Sequence, residues 1–246
     1  MKTSNKILIV AGLVVMGWVL IYDMAVKAEF VKEDYKKPHY QMKQLVFTNF
    51  NTIQHNAGNI IGIEVEKGPY GVWVDEFMDD KIAITQHGQT LQIDYTGTDY
   101  HGSGRGIVIN CPDLVSITTN AFIKAGKSNN YEYQNNYVNS IIINGQYTPT
   151  SVEGFTAPLM NVCANEFTSI ILENNTLGQL NAKIGDSKGR AGLTVRPDNK
   201  ITSADLQVPG KSALVLDNVA IGKIAYKLAD SADVRLTGKA AHLLDQ

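Results

Sequence analysis

The residues best suited to acid–base or calcium chemistry lie in one short acidic stretch of the sequence. Asp75, Glu76, Asp79 and Asp80 fall close together. Carboxylates in such proximity could ligate calcium or act as the general acid and base of a polysaccharide-cleaving enzyme. The same spacing is typical of a polar loop between two strands, in which the charges stay hydrated. We interpret the stretch as a solvated loop and keep the enzyme as the alternative.

Two further patterns could hold a metal or a phosphate. The histidines are scattered, with no pair three or four residues apart and no neighbouring Glu or Cys (His39, His55, His87, His101 and His242). This spacing lacks a zinc signature, although ligands on different strands can converge in space. The glycine-rich loop Asp99–Gly106 precedes the strand-like Ile107–Asn110, whereas a phosphate loop precedes a helix. We therefore predict neither a metal site nor a cofactor.

The candidate ligand-binding residues lie in the polar, amide-rich stretch 125–138. Tyr131, Tyr133 and Tyr137 offer flat apolar faces beside the amide of Asn135. This combination suits sugar rings or a protein epitope. The alternation of Tyr131 and Tyr133 could equally belong to an edge strand. We predict a ligand-binding loop formed by these four residues.

An internal repeat near the end of the chain indicates how the scaffold is built. Ile170–Ser187 aligns without a gap with Leu214–Ser231, at an offset of 44 residues. The two segments share six identical pairs (Leu172/Leu216, Asn174/Asn218, Gly178/Gly222, Lys183/Lys227, Asp186/Asp230 and Ser187/Ser231). Alternating aliphatic residues separated by turn formers predict short strands and tight corners. Asn174-Asn175-Thr176 fits a glycosylation acceptor, but its equivalent at Asn218 does not, which favours a structural turn.

Half of this period predicts a stack of coils. Ile171, Leu193 and Val215 are aliphatic at steps of 22 residues, as are Ile184, Leu206 and Leu228. We therefore interpret 44 residues as two coils of an all-β fold, a β-helix or solenoid. Strand-like runs continue towards the N-terminus (Gly62–Val65, Val72–Val74, Lys81–Thr85, Leu91–Tyr95, Ile107–Asn110, Leu114–Thr118 and Ser140–Asn144).

The two cysteines, Cys111 and Cys163, lie in apolar, strand-like sequence 52 residues apart. A disulfide would require their Cα atoms to lie within about 7 Å. With a coil of about 22 residues, their separation is not one step unless the stretch 125–138 is looped out. We expect buried free thiols, and the pairing stays open.

The N-terminus carries a membrane or export signal. Lys2 and Lys6 precede an uncharged apolar run, Ile7–Tyr22, with Trp18 and Tyr22 near its outer end. The run spans about 24 Å as a helix and reaches further through residues 23–26. The basic residues favour a cytoplasmic N-terminus, and the aromatic residues suit the outer membrane interface. We predict one transmembrane helix at residues 7–26, which acts as a signal anchor.

A cleavable signal peptide is the competing interpretation of this segment. Val26-Lys27-Ala28 has roughly the small-residue form of a cleavage site. The charges of Asp23 and Lys27 make a poor cleavage region, which favours an uncleaved anchor. In both interpretations the chain beyond Glu29 crosses the membrane.

Composition fits an exported β protein with one folded domain. The chain has 22 basic and 24 acidic residues and a net charge of −2, so it lacks the basic surface of a nucleic-acid-binding protein. We predict a cytoplasmic N-terminus (1–6), the membrane segment (7–26), a charged tether (27–44) and a β-solenoid domain (45–246). About 200 residues suffice for one sizeable domain.

Several segments together resemble the autotransporter-adhesin head GIN domain family. They are Phe50-Asn51-Thr52-Ile53, the run from Ile63 to Val74, Leu91-Gln92-Ile93, and the run from Val108 to Ile117 containing Cys111-Pro112-Asp113-Leu114. The resemblance covers roughly Val46 to Leu244. It implies a right-handed, single-stranded parallel β-helix in the envelope of a Gram-negative bacterium, anchored or exported through its N-terminus, and it supplies no catalytic residues.

These observations predict a membrane-tethered, extracytoplasmic module without enzymatic activity, located in the periplasm or at the cell surface. Its partners would be the membrane, through the N-terminal helix, and a glycan or an envelope protein. The alternative is a β-helix enzyme acting on polysaccharide, which would require a cleft lined by carboxylates about 5 to 9.5 Å apart.

Overall fold

The computed structural model describes residues 3–33, 36–97, 106–122, 149–186 and 190–243. The chain divides into two compact units, Met1–Gln41 and Met42–Gln246. The first unit contains a long helix, and the second contains two large sheets.

The helix α1 (Thr3–Lys32) is 30 residues long, which corresponds to about 45 Å. Its large apolar side chains are exposed along the whole helix, from Ile7 to Val31. The segment Asn5–Lys32 is long and apolar enough to cross a membrane. An N-terminal helix of this composition is compatible with either a membrane anchor or a signal sequence.

Seventeen strands and two short 3-10 helices make up the described part of the second unit. The strands are β1 (Met42–Leu45), β2 (Thr52–His55), β3 (Ile63–Lys67), β4 (Gly71–Asp75), β5 (Ile82–His87), β6 (Thr90–Tyr95), β7 (Ile107–Cys111), β8 (Ser116–Thr119), β9 (Thr150–Glu153), β10 (Thr156–Ala164), β11 (Ser169–Glu173), β12 (Thr176–Ile184), β13 (Gly192–Val195), β14 (Lys200–Val208), β15 (Ala213–Asp217), β16 (Ala220–Leu228) and β17 (Asp233–Thr237). The 3-10 helices are Asp79–Lys81 and Gly238–His242. Six of the seven predicted strand runs are confirmed within a few residues, and Ser140–Asn144 lies outside the described residues.

The strands form two sheets that share one hydrophobic core. The nine-stranded sheet has the order β1-β4-β7-β3-β9-β11-β13-β15-β17, and the eight-stranded sheet has the order β16-β14-β12-β10-β8-β2-β6-β5. From β9 onward, consecutive strands belong alternately to the two sheets. From β9 to β15, each strand therefore pairs in parallel with the next strand but one, within the same sheet. The intervening strand belongs to the other sheet, and both sheets line the core.

The prediction of a right-handed, single-stranded parallel β-helix, a solenoid, is wrong. Both sheets are mixed, because the pairs β1–β4, β4–β7 and β5–β6 are antiparallel. For the β5–β6 pair, a short connection explains the antiparallel arrangement. Only Gly88 and Gln89 join β5 to β6, and a two-residue loop can join only antiparallel neighbours. Gly88 adopts a φ of 61° at the first loop position, as a tight hairpin turn requires. The observed architecture is a sandwich of two mixed sheets.

The repeat of 44 residues holds, but its division into equal halves is wrong. Ile170 pairs with Leu193, 23 residues later, and Leu193 pairs with Leu214, 21 residues later. In the other sheet, Thr176 pairs with Lys200 and then with Ala220, at steps of 24 and 20 residues. The connections that follow β12 and β13 are longer than the equivalent connections one pair of strands later. The predicted row of Ile171, Leu193 and Val215 is therefore replaced by Ile171, Thr194 and Val215.

The identical positions of the repeat have structural roles. Leu172 and Leu216 are buried in the core, as the register of the repeat predicts. Asn174 and Asn218 adopt φ values of 53° and 47°, which confirms the predicted turn. A Cβ atom at Gly178 would lie 2.6 Å from the Pro158 carbonyl oxygen, and one at Gly222 would lie 2.7 Å from the Thr202 carbonyl oxygen. Only glycine permits this close approach of neighbouring strands.

Candidate functional site

The predicted binding residues Tyr131, Tyr133, Asn135 and Tyr137 lie outside the described residues, as do His101 and most of the Asp99–Gly106 loop. The ligand-binding role of the four loop residues therefore stays a prediction. Ile107–Cys111 follows the glycine-rich loop as a strand, as the sequence predicts, so no helix begins directly after the loop.

The acidic stretch forms a turn after β4, and two of its carboxylates have structural partners. Asp75 is buried, and its Oδ1 accepts a hydrogen bond from the Phe77 backbone N–H at 2.9 Å. Asp79 pairs with Lys43, with Nζ and Oδ2 2.6 Å apart. Among the described residues, no group of three or more His, Cys, Asp or Glu side chains is arranged to hold a metal ion. The geometry of this turn thus gives no support to a calcium site.

Of the four described histidines, His55 is buried in the core and His87 lies exposed on β5. The His55 Nε2–H donates to the Ile61 carbonyl oxygen at 2.8 Å when that nitrogen carries the proton. Burial lowers the pKa of His55 to about 4, so the ring is neutral at physiological pH. His55 is therefore a core residue.

Both cysteines are free thiols on different sheets. Cys111 is fully buried, and burial raises its thiol pKa to about 12. Cys163 is only half-buried, so the expectation of buried thiols holds for Cys111 alone. Burial also raises the pKa of Cys163, and the opposing influences of Lys183 and Asn165 are smaller.

A groove of about 300 Å³ with a mixed polar and apolar lining lies on the eight-stranded sheet, across β8, β10, β12 and β14. One row of lining side chains follows the strand register (Ser116, Asn161, Asn181 and Asp205). A second row lies two residues further along the strands (Cys163, Lys183 and Gln207). Adjacent strands are about 4.8 Å apart, so the longer row extends over about 14 Å. We call this feature the sheet groove.

Hydrogen bonds fix part of the sheet groove. The Asn181 Nδ2–H donates to Asn161 Oδ1 at 3.0 Å, and Asn181 Oδ1 accepts from Gln179 Nε2 at 2.8 Å. The intervening Val162 and Ala182 are buried and belong to the base of the groove. An amide whose donor and acceptor are both engaged keeps one orientation, so the middle of the groove is preorganised.

Three other lining side chains carry unused hydrogen-bonding capacity. In the part of the chain that the structure describes, Lys183, Asp205 and Gln207 make no side-chain hydrogen bond or ion pair. Lys183 and Asp205 are exposed. The ammonium can donate, the carboxylate can accept, and the Gln207 amide can do both. These groups are available to a polar ligand.

A line of amides on the same sheet continues beyond the groove. The Asn165 Nδ2–H donates to Asn120, Asn120 donates to Asn56, and Asn56 donates to Asp94, over 2.6, 2.8 and 2.7 Å. These residues follow or end neighbouring strands, so the line crosses the sheet. Because these side chains hydrogen-bond to each other, we interpret the line as a structural feature that stabilises the sheet, as stacked amide ladders do.

The nine-stranded sheet carries a contrasting acidic row. Glu66 and Glu173 are the register partners of Glu153 on either side. Partial burial, followed by the like charges of Glu66 and Glu173, raises the pKa of Glu153. Arg196 lies 3.3 Å from Glu173, as Nε to Oε1, and partly balances the row. Like the acidic turn after β4, this row does not form an arrangement of carboxylates that could hold a metal ion.

The sheet groove was not predicted from the sequence. Its signal is the polar side chains two residues apart in three long strands, Asn161/Cys163, Asn181/Lys183 and Asp205/Gln207. Unequal steps between these strands hide their alignment, because the offsets are 20 and 24 residues rather than a constant 22. Strand register is needed to bring the six side chains together.

Comparison with known proteins adds evidence on the fold. No protein-family model matches the chain, so the resemblance to the GIN domain family gains no support. No curated protein matches its sequence either. A solved structure described as a putative adhesin from Parabacteroides distasonis ATCC 8503 is similar, with a TM-score of 0.51 at 14% identity over 80% of this chain and 73% of that chain. This likeness shows a shared fold.

Two further solved structures are more distant. A putative adhesin from Parabacteroides merdae ATCC 43184 has a TM-score of 0.44 at 12% identity, over 78% of this chain and 79% of the other. A structure described as a putative lipid binding protein from Parabacteroides distasonis ATCC 8503 has a TM-score of 0.46 at 14% identity, over 78% and 80%. Similarity at this level carries no argument about function.

Proposed function

We propose that the protein is a non-enzymatic, adhesin-like binding module, tethered by its N-terminal helix and displayed in the periplasm or at the cell surface. Its partner would be a glycan or an envelope protein. The observation that carries this proposal is the combination of an exposed apolar helix, α1, with a β domain whose surface presents unused polar groups in the sheet groove.

The sequence around α1 supports the tether and its orientation. Lys2 and Lys6 precede the apolar run, and basic residues stay on the cytoplasmic side of a membrane. The exposed side chains of α1 bury little surface in the protein, and a lipid environment would cover them. Uncleaved, the helix keeps the β domain at the membrane surface.

The non-enzymatic part of the proposal rests on the chemistry of the described surface. The carboxylates of Asp75 and Asp79 are engaged in a backbone hydrogen bond and an ion pair, respectively. Asp205 is the single carboxylate among the side chains that line the sheet groove. Glycoside hydrolysis generally uses two carboxyl groups on opposite sides of the bond. The fold shared with a protein described as a putative adhesin also favours binding over catalysis as the proposed role.

The test uses the full chain in lipid nanodiscs, applied to immobilised oligosaccharides and to immobilised envelope proteins of a Gram-negative bacterium. We expect saturable binding to at least one of these above the signal of empty nanodiscs. Incubation of the protein with the same oligosaccharides, and with their parent polysaccharides, in solution should release no new reducing ends. Absence of binding to every surface, or release of reducing ends, would overturn the proposal.

A further inference from the structure

The sheet groove combines a fixed centre with free groups at its margin. The Asn181 amide donates to Asn161 Oδ1 at 3.0 Å, whereas among the described residues Lys183 and Asp205 make no side-chain hydrogen bond or ion pair. A ligand that enters the groove meets donors and acceptors whose positions are set by the strand register. The hydrogen-bonded Asn161 and Asn181 need little further ordering when a ligand binds, whereas the exposed Lys183 and Asp205 become ordered on binding.

The charges of the groove restrict the class of ligand. Its lining contains one ammonium group, on Lys183, and one carboxylate, on Asp205. A polyanion would be attracted by the first and repelled by the second, and a polycation would experience the reverse. A neutral ligand with many hydroxyl groups avoids this conflict, because each hydroxyl can donate to Asp205 and accept from Lys183.

The shape of the groove further favours an elongated polyhydroxyl ligand. The two polar rows are about 6.6 Å apart along the strands, and the longer row extends over about 14 Å across them. The groove is open to solvent, and its length allows a chain of sugar rings to lie across several strands. Hydroxyl groups on opposite edges of a sugar ring would then face the two rows.

We propose that the sheet groove is a binding site for neutral polysaccharide, with Asn161, Asn181, Lys183, Asp205 and Gln207 as its polar contacts. This proposal rests on the adhesin-like function and specifies its ligand class and site. The lining contains no aromatic ring. Each site consequently lacks the stacking surface that strengthens many ligand sites, and its affinity is weak. Many tethered copies on one membrane would compensate through multivalent attachment.

The experiment compares matched double variants of the full chain in nanodiscs. The groove variant carries Lys183→Ala and Asp205→Ala. The control variant carries Asp233→Ala and Arg235→Ala, which remove one acid and one base from an exposed pair at 3.1 Å on the other sheet. The probes are immobilised dextran, mannan and xylan, with alginate as an anionic comparison. We expect the groove variant to lose at least tenfold in affinity for a neutral polymer, while the control variant keeps the affinity of the unmodified protein.

Cys163 supplies a second readout without a new mutation. Its half-buried thiol lines the groove, whereas Cys111 is fully buried with a pKa raised to about 12. Alkylation with N-ethylmaleimide should therefore modify Cys163 selectively. A bound neutral oligosaccharide should slow this reaction severalfold, and prior alkylation should reduce binding.

The outcomes separate this proposal from the adhesin-like function. If the groove variant binds a neutral polymer as tightly as the unmodified protein does, the groove assignment is overturned and the broader adhesin-like function stays in place. Binding to envelope proteins alone, or to alginate alone, would also overturn the assignment of a neutral polysaccharide. Absence of binding to all probes and to envelope proteins would overturn both proposals. Circular dichroism of each variant verifies that the exposed substitutions leave the fold intact.

Discussion

At the scale of single residues, the buried His55 makes the stability of the β domain depend on pH. The ring is fully buried, with one nitrogen bonded to the Ile61 carbonyl oxygen at 2.8 Å. Its Nδ1 has no hydrogen-bond partner in the described part of the protein. Burial is the main cause of the lowered pKa of about 4, against an ordinary value of 6.5. The folded state therefore keeps the ring neutral under conditions in which the unfolded chain protonates it.

This difference predicts a loss of stability in mildly acidic solution. Below pH 6.5 the unfolded chain binds a proton that the folded state excludes until about pH 4. The titration of His55 leaves the free energy of unfolding unchanged above pH 6.5. As the pH decreases from 6.5 to about 4, it lowers the free energy of unfolding by about 3 kcal/mol in total. Urea unfolding at several pH values in this window measures the slope.

Two variants distinguish His55 from other titrating groups. His55→Gln retains a side-chain donor for the Ile61 carbonyl but cannot titrate, so its stability should vary less with pH than that of the unmodified protein. His87→Gln removes an exposed histidine and should preserve the original slope. An unchanged slope in His55→Gln would show that the acid sensitivity has another origin.

The predicted ligand-binding loop, residues 125–138, offers a separate test of ligand binding. If Tyr131, Tyr133, Asn135 and Tyr137 contribute to recognition, then replacing the three tyrosines together with Ser should weaken binding at least tenfold, since aromatic anchors typically carry about 2 kcal/mol each. The unfolding temperature should change little. Normal binding by this variant, together with weakened binding by the groove variant, would assign recognition to the sheet groove alone.

At the scale of the elements, buried leucines of the repeat lie in register on the nine-stranded sheet. Leu172 and Leu216 each pair with Val195, and all three side chains are buried. Leu216→Asp places a carboxylate among aliphatic side chains and should lower the free energy of unfolding by several kcal/mol. Lys227→Ser alters an exposed position of the same repeat and should be nearly silent. Equal unfolding midpoints for these variants would contradict the register.

Much of the strand pattern could be predicted from alternating aliphatic residues and turn formers. The 44-residue repeat identified positions that are equivalent in space, such as Gly178 and Gly222. The predicted division of the repeat into two equal halves was wrong, because connections of different length shift the strand register. The hydrophobic pattern of the strands does not reveal how long each connection is. The antiparallel hairpin of β5 and β6 had a local signal, the two residues Gly88 and Gln89, which the assumption of uniform coils overrode.

The candidate site was less predictable than the strands. An acidic stretch and a tyrosine-rich loop are visible as local clusters. The sheet groove combines residues from four strands that are far apart in sequence, and their alignment depends on register. Buried polar residues were equally hidden. Asn175, for example, accepts from the Phe155 backbone N–H at 2.9 Å and donates to the Val152 carbonyl oxygen, which explains an amide in the core.

At the scale of the whole molecule, an apolar N-terminal helix precedes a two-sheet β domain in the chain. The helix α1 is long and apolar enough for a membrane, and the second unit has its own core. Under the proposed function, tethering would strengthen attachment through a weak site, because neighbouring copies on one membrane would bind together. The central claim is therefore that the uncleaved helix holds the β domain on the outer side of a membrane.

Protease treatment of spheroplasts that express the full chain tests this claim most directly. Protease added outside should remove the β domain, while an N-terminal fragment that contains α1 stays in the membrane and retains the cytoplasmic end. Mass spectrometry of untreated membranes should find the intact N-terminal segment. A β domain that is degraded only after the spheroplasts are lysed would contradict the orientation, and a mature chain that begins at Glu29 would contradict the tether.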